Sequence, residues 1–246
     1  MVSLGTSGTV FIPANQFPAH TDGTLHAFAH ANGKYHLMGC MLSAAACSKW
    51  WIETILDRKD YTEEEEKIGV LGENQVFFLP YLMGERCPHN DEKARGVFWG
   101  IHGGTSRGEM TQAVLEGVAF GLYDCIELAR NLGVEISRIR LCGGGGKSPI
   151  WQKIAANLFQ CPIDTLQNEE GPAMGAAILA MTAAGEYDTV EQAAARFLRC
   201  KKTVTPDAAL SQKYLKRWEL FHQLYPAQKE MYAQLEKNFS SNEPNL

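Results

Sequence analysis

Two glycine-bearing turns are the parts of this 246-residue sequence best suited to chemistry. The first is Gly5-Thr6-Ser7-Gly8. A turn that holds phosphate needs backbone N–H groups pointing one way and no side chain in front of them. Gly5 and Gly8 permit that conformation, and Thr6 and Ser7 add hydroxyl donors. An ordinary hairpin turn has the same composition, so this turn is not specific by itself. The second is the run Gly143–Gly146, which lies between an apolar segment and Ser148-Pro149. Each glycine costs roughly 0.5–1 kcal/mol relative to alanine in ordered structure, so a run of them predicts that a ligand or another backbone comes close. Ser148 is a favoured N-cap and Pro149 a favoured first helical residue, so a helix starts there. Its N-terminus offers free N–H groups to an anion or a purine edge. Neither familiar phosphate motif fits this run. A dinucleotide fingerprint from Gly143 needs glycine where Ser148 stands. A P-loop ending in Gly146-Lys147-Ser148 needs glycine where Leu141 stands.

Other clusters carry weaker signals. His20, His26, His30 and His36 invite a metal reading. A two-residue turn at Asn32-Gly33 pairs Ala29 with His36 and His30 with Tyr35, which sends His30 and His36 to opposite faces and predicts no cluster. Trp50 and Trp51 are adjacent on a predicted helix, so one must leave the main buried face and is available to line a cleft. Glu85-Arg86-Cys87-Pro88-His89-Asn90-Asp91, continuing through Lys93 and Arg95, reads equally as a functional loop and as a solvated charged one. The run Glu63–Glu66 reads as a solvated helix start that suits the macrodipole.

The elements that must position these groups emerge from periodicity. Val2–Leu4 and Thr9–Ile12 read as short strands around the first turn, and Leu25–Ala31 with Lys34–Met41 as a hairpin. Ala44, Cys47, Trp51 and Ile55 recur at helical spacing over 43–57. Thr62 with Glu65 reads as a capping box for a short acidic helix. Strands are predicted at Val76–Leu79 and Val97–Ile101. A helix capped by Ser106 and Glu109 runs to Gly133 with Met110, Val114, Val118, Leu122 and Ile126 as its stripe. Ile136–Cys142 is a strand, and Trp151, Ile154, Ala155 and Leu158 mark the buried face of the helix after it. Then come a strand at Cys161–Thr165, a small-residue helix at Pro172–Ala184 and a helix over 189–198 capped by Asp188 and Glu191. A last amphipathic helix starts near Asp207, and Pro226 is predicted to kink or end it. Hairpins first and alternation with helices later argue an α/β fold with a mixed sheet.

Composition bounds the class. Hydrophobic residues are 45% and charged residues 21%, so the chain is globular and not disordered, collagenous or coiled-coil. A formal charge of −5 with no basic block argues against nucleic acid as a partner. Apolar runs are far below the roughly 18 residues of a membrane span. Seven cysteines with no C-x-x-C pair fit neither a disulfide framework nor a thiolate zinc site, which points to a reducing cytoplasm. Met1–Gly5 has no signal-peptide character. A functional turn at residue five predicts a start inside something larger. Residues 239–246 read as a frayed polar tail after a domain over 1–238.

Taken in order, the motifs resemble the C-terminal domain of the FGGY carbohydrate kinases. The resemblance is carried by Ser3–Gly8, by Pro80-Tyr81-Leu82-Met83-Gly84-Glu85-Arg86 with Ala94-Arg95-Gly96, and by Leu115-Glu116-Gly117-Val118-Ala119-Phe120. It continues through Gly143–Pro149 and Gly171–Ala177. Met41-Leu42-Ser43-Ala44-Ala45 and Pro88-His89-Asn90-Asp91 look most like the xylulokinase branch. The resemblance implies one lobe of an actin-like ATPase, or ribonuclease H-like, fold, with ATP between two lobes and a sugar hydroxyl attacking its γ-phosphate. For a xylulokinase the products are ADP and D-xylulose 5-phosphate. By position, Gly5, Thr6 and Ser7 would touch the β- and γ-phosphates. Gly143, Gly144 and Gly145 would let nucleotide lie against backbone, and Ser148 would reach its base or ribose. Ala45 and Lys49 match positions that face nucleotide in relatives. The loop around Arg86, His89 and Asp91 is expected near the interlobe cleft.

The resemblance also implies what is missing. Relatives carry the catalytic Asp, most of the sugar site and the acid for Mg²⁺ on an N-terminal lobe, upstream of the Gly-Thr-Ser turn. This chain is therefore expected to be inactive alone, because phosphoryl transfer needs positioning and charge stabilisation from both sides. A kinase for another sugar or polyol, and a non-catalytic nucleotide-binding regulatory module, are the competing expectations, and a homodimer is compatible with either.

Overall fold

The computed structural model describes residues 1–17, 24–167 and 171–239; His20 and residues 240–246 of the predicted tail lie outside them. Among these residues the strands are β1 (Val2–Leu4), β2 (Gly8–Ala14), β3 (His26–Ala29), β4 (Tyr35–Met41), β5 (Phe77–Leu79), β6 (Val97–Trp99), β7 (Ile139–Cys142), β8 (Ile163–Leu166) and β9 (Cys200–Val204). Seven form one mixed sheet in the order β3-β4-β2-β1-β7-β8-β9, and β5 and β6 pair apart. The β3-β4-β2-β1 half is antiparallel. β1, β7 and β8 are parallel neighbours, and β9 closes the edge antiparallel to β8. The helices are α1 (Ala45–Lys49), running on as a π-helical turn over Trp50–Ile55, α2 (Tyr61–Glu65), α3 (Arg107–Asn131), α4 (Pro149–Phe159), α5 (Gly171–Ala183), α6 (Val190–Phe197) and α7 (Ala208–Phe239).

The structure departs from the sequence expectations where a tertiary partner overrides a local signal. The β3–β4 hairpin closes through a longer loop than two residues, with His30 N bonded to Lys34 O at 2.8 Å and Gly33 at φ +77°. Ala29 therefore faces Tyr35 and Phe28 faces His36. The one-residue shift puts His30 and His36 on one face, their rings 5.6 Å apart, with Phe11 stacked on His36 at 4.2 Å. The opposite-face prediction is thus wrong. Among the described residues no group of three or more His, Cys, Asp or Glu is placed to hold a metal ion.

Helix 43–57 is a short α-helix followed by the π-turn, marked by Leu56 N bonding Trp51 O at 3.0 Å. The wider turn rotates the residues within and beyond it: Ile52 enters the core, and Ile55 is exposed. α2 is capped by Asp60, whose side chain accepts from Glu63 N, not by Thr62. α6 is capped by Thr189 in place of Asp188. Pro226 neither ends nor interrupts α7. It removes one intrahelical bond, while Phe221, Leu224, Tyr225 and Tyr232 stay buried on either side. β9 has no apolar alternation to betray it; Lys201 and Lys202 suit an edge strand.

α3 is the centre of the core. Its Ser106–Glu109 capping box forms as expected. The helix is buried on all sides from Thr111 to Ile126, and not along one stripe, because α1, α4, α7, β2, β4 and β5 all pack on it. Burial on all sides encloses two carboxylates, Glu116 and Asp124, and α7 supplies partners to each. Arg217 Nη2 pairs with Glu116 Oε2 at 2.6 Å, and Tyr214 Oη and Gln112 Nε2 donate to Oε1 at 3.0 and 2.8 Å. Trp218 Nε1 donates to Asp124 Oδ1 at 2.7 Å. Removing one partner of a buried ion pair strands the other charge and costs about 3–5 kcal/mol, whereas apolar replacement of both is far milder. Urea unfolding should therefore show Arg217→Ala destabilised by about that amount, and Glu116→Leu/Arg217→Leu by clearly less.

Candidate functional site

The parallel pairing of β1 with β7 brings both glycine turns to one end of the sheet: Val2 faces Leu141 and Ser3 faces Cys142, so Gly5 and Gly143 lie side by side just beyond them. The first turn then packs on the start of α1, where Ala45 N bonds Gly5 O and Ala44 N bonds Thr6 O, each at 2.9 Å. These bonds use the turn's carbonyls and leave its amides. Among the described residues, the N–H groups of Thr6 and Ser7 have no backbone acceptor.

A cavity of about 870 Å³ opens at this junction. Of the residues anticipated from sequence, Gly5, Thr6, Ala45, Lys49, Gly144, Gly145 and Ser148 line it, and Ser7 and Gly143 do not. Ser7 is exposed beside the turn. Gly143 sits at φ +85°, where a Cβ would lie 2.7 Å from the Leu4 carbonyl; it is glycine because another backbone approaches, not because it lines the cavity. Gly145 is likewise internal in its demand, since a Cβ there would meet the Trp151 ring at 2.5 Å. Gly144 differs: a Cβ on it would meet nothing within 4 Å. The glycine run thus divides between packing at Gly143 and Gly145 and an open wall at Gly144.

α4 holds the far side of the loop. Ser148 Oγ accepts from Trp151 N at 3.1 Å as the expected N-cap, and Gln152 Nε2 bonds Gly146 O at 2.9 Å. The cavity wall also includes Trp50, Tyr61 and Thr62. Of the tryptophan pair, Trp51 is the core member, its Nε1 on Thr111 Oγ1 at 2.9 Å, and Trp50 is the cleft-lining one, stacked on Phe78. Glu65 is an acidic wall residue that sequence reasoning missed, as it missed Lys147, Tyr61 and Thr62. Glu65 is hidden in the run Glu63–Glu66, of which Glu63 and Glu66 are solvated as expected and Glu64 and Glu65 are not. Glu64 is fully buried between Lys67 and Arg107, and Glu65 faces the cavity and takes a 2.8 Å bond from Ser148 Oγ.

The charge-rich loop does not line this cavity, nor is it a solvated surface loop. Glu85 and Asp91 exchange two backbone bonds of 2.9 and 2.8 Å. Glu85 is buried and accepts from Leu42 N and Arg86 N. His89 stacks on Tyr225 at 3.6 Å and shares a 2.8 Å hydrogen bond with Tyr81 Oη, while Tyr225 Oη donates to Asp91 Oδ2 at 2.7 Å. The loop is thus a clamp between β4 and α7. Burial raises the Glu85 carboxyl to about 8, its backbone donors opposing this only in part. Burial lowers His89 to about 4.

The family model for the FGGY family of carbohydrate kinases, C-terminal domain, matches residues 1–184. The chain belongs to that family. It is 34% identical over 238 residues to the xylulose kinase of Staphylococcus epidermidis, covering 96% of this chain and 48% of that protein. A Brucella ovis structure described as a xyloylose kinase superposes with a TM-score of 0.86 at 36% identity, over 94% of this chain and 48% of that one. A gluconate kinase structure from Lactobacillus acidophilus superposes with a TM-score of 0.85 at 26% identity, over 95% and 48%. The chain therefore spans about half the length of these relatives. The fold is that of the actin-like ATPase sugar kinases, α/β with a mixed sheet flanked by helices.

The glycine run and the buried carboxyl each give a stability test. Gly144 has φ −58° and ψ −45°, which alanine adopts freely, so Gly144→Ala should match or slightly exceed the native stability, by up to about 1 kcal/mol. Gly143→Ala should lose more than about 1 kcal/mol in the same denaturation series. For Glu85, a folded pKa above the unfolded 4.5 means that its contribution is full below pH 4.5 and is lost as pH rises through 8. His89 acts in the opposite sense and only below about pH 6.5. Between pH 6.5 and 8 the native chain should therefore lose about 1–2 kcal/mol more than Glu85→Gln, measured by urea unfolding at both pH values.

Proposed function

We propose that the cavity between the two turns binds ATP and ADP, and that this chain is the nucleotide-binding part of a sugar kinase acting on D-xylulose. The observation that carries the reading is the convergence of Gly5-Thr6 and Gly144-Gly145-Ser148, far apart in sequence, on one cavity, with amides at one turn that have no acceptor among the described residues and an open glycine at the other. In this reading the Thr6 amide and hydroxyl in the cavity wall, with the exposed Ser7 just outside that wall, hold the β- and γ-phosphates, and Lys49 adds positive charge at the cavity. Gly144 lets the nucleotide lie against backbone, beside Ala45 and the Trp50 and Tyr61 rings.

Such a nucleotide fits the donors available. Mg²⁺ would travel with the phosphates and reduce their charge. The reaction is attack of a sugar hydroxyl on the γ-phosphorus, loss of the hydroxyl proton to a base, and departure of ADP. This chain's share is to orient the phosphates and stabilise their charge; the base and most of the sugar site belong to a second lobe. The similarity to a gluconate kinase favours, as a second reading, phosphorylation of a different sugar or sugar acid.

Calorimetric titration of the 246-residue chain with ADP tests the site. We expect measurable but weak binding, reduced about ten-fold or more in Thr6→Val and in Gly144→Val. Unchanged affinity in both variants overturns the placement. In a coupled assay the chain alone should form no ADP that depends on xylulose, and sugar-dependent turnover would refute the division of labour.

A further inference from the structure

The strongest unexplained group in the cavity is Glu65. An anionic side chain is out of place in a cavity meant for polyphosphate, unless it meets a different part of the ligand. Its geometry supplies the reason. Ser148 Oγ donates to Oε2 at 2.8 Å, and that same hydroxyl oxygen accepts from Trp151 N at 3.1 Å. The Ser148 hydroxyl proton is therefore committed to Glu65, and its oxygen is partly committed to capping α4. Glu65 Oε1, by contrast, has no hydrogen-bond partner among the described residues, and Glu65 is part of the cavity wall. The carboxylate is held from one side and open on the other.

We propose that Glu65 reads the nucleoside: its Oε1 accepts a hydrogen bond from a donor on the base or ribose, and Ser148 is the positioning residue that aims it. This rests on the nucleotide reading of the cavity and goes beyond it in naming the contact. Charge and donor type select the partner. A carboxylate is acceptor-only, so it repels phosphate oxygens and selects N–H or O–H groups. On adenosine those are the exocyclic amine and the ribose hydroxyls. The phosphates lie instead toward the open Thr6 and Ser7 amides, so the chain orders the ligand by charge, with its anionic end at the glycine-threonine turn and its donors at α2. Burial pushes the Glu65 carboxyl up from its ordinary range, and the Ser148 bond opposes that rise. A donor arriving from the ligand would add to the Ser148 effect and favour the ionised form. Ser148 then touches the nucleoside indirectly, which revises the direct contact implied by position.

The experiment is calorimetric competition on the 246-residue chain with ADP, IDP, 2′-deoxy-ADP and 3′-deoxy-ADP, for the native protein, Glu65→Ala and Glu65→Met. IDP lacks the exocyclic amine and presents a carbonyl; each deoxynucleotide lacks one hydroxyl. The native chain should prefer ADP over at least one analogue by about ten-fold or more, as a charged acceptor left unpaired implies. The analogue disfavoured identifies the donor as base or ribose. Both Glu65 variants should bind all four ligands within about two-fold of each other, and Ser148→Ala should narrow the preference while Ser148→Thr restores it. A preference kept in Glu65→Ala and Glu65→Met, or equal binding of all four ligands by the native chain, overturns this assignment and leaves the nucleotide reading intact. Absence of ADP binding by the native chain overturns both.

Discussion

β1 and β7 pair over a very short length, and that pairing makes the candidate site. Parallel strands present their C-terminal ends together, and ligand crevices in α/β sheets form outside those ends. Here the antiparallel half of the sheet ends in β1 and the parallel part begins with β7, so the first residues of the chain and a segment beyond its middle deliver their turns to one place. The fit is close: Gly143 lies against the Leu4 carbonyl and admits no side chain. Any change that separates these strands separates the two turns. The core around α3 holds them together, since α4 packs on α3 and carries the second turn at its start.

The same logic explains the polar groups inside the core. A helix surrounded on all sides has no solvated face, so carboxylates on α3 require partners from elsewhere. α7 supplies Arg217, Tyr214, Trp218 and His222 at helical spacing. Tyr225, further along α7, then clamps the Glu85–Asp91 loop through Asp91 and the His89 ring. Charged residues that look catalytic in a linear sequence are thereby used for docking. Charge density marks where the chain is fastened, and the cavity is lined mostly by glycine, small residues and aromatic rings.

Local signals with short-range causes are legible in the sequence. The Ser106–Glu109 capping box, the Ser148-Pro149 helix start and the apolar face of α4 all act within one or two helical turns. The glycine turns and the Ser148 cap of the cavity wall are legible for the same reason, because glycine runs and N-caps are local devices. Features that depend on distant partners are not. The register of β3 and β4 turns on the length of a loop. The facing of Ile55 turns on a π-turn. The burial of Glu64 turns on Arg107, far along the chain. Glu65 is invisible in the sequence because its meaning lies in Ser148, which only the fold brings near. The run of four glycines looks like one feature, while the fold splits it into two that packing requires, Gly143 and Gly145, an open one, Gly144, and Gly146, where a Cβ would make only ordinary contacts.

If the amides of the two turns form one nucleotide site, they must respond together to ligand. Titration of the ¹⁵N-labelled chain with ADP, followed by amide chemical shifts, reads this at each residue. Saturable shifts with one common dissociation constant are expected at Thr6, Ser7, Gly144 and Gly145. Shifts confined to other surfaces, such as the His30–His36 face of the sheet, or different constants at the two turns, would contradict a single site.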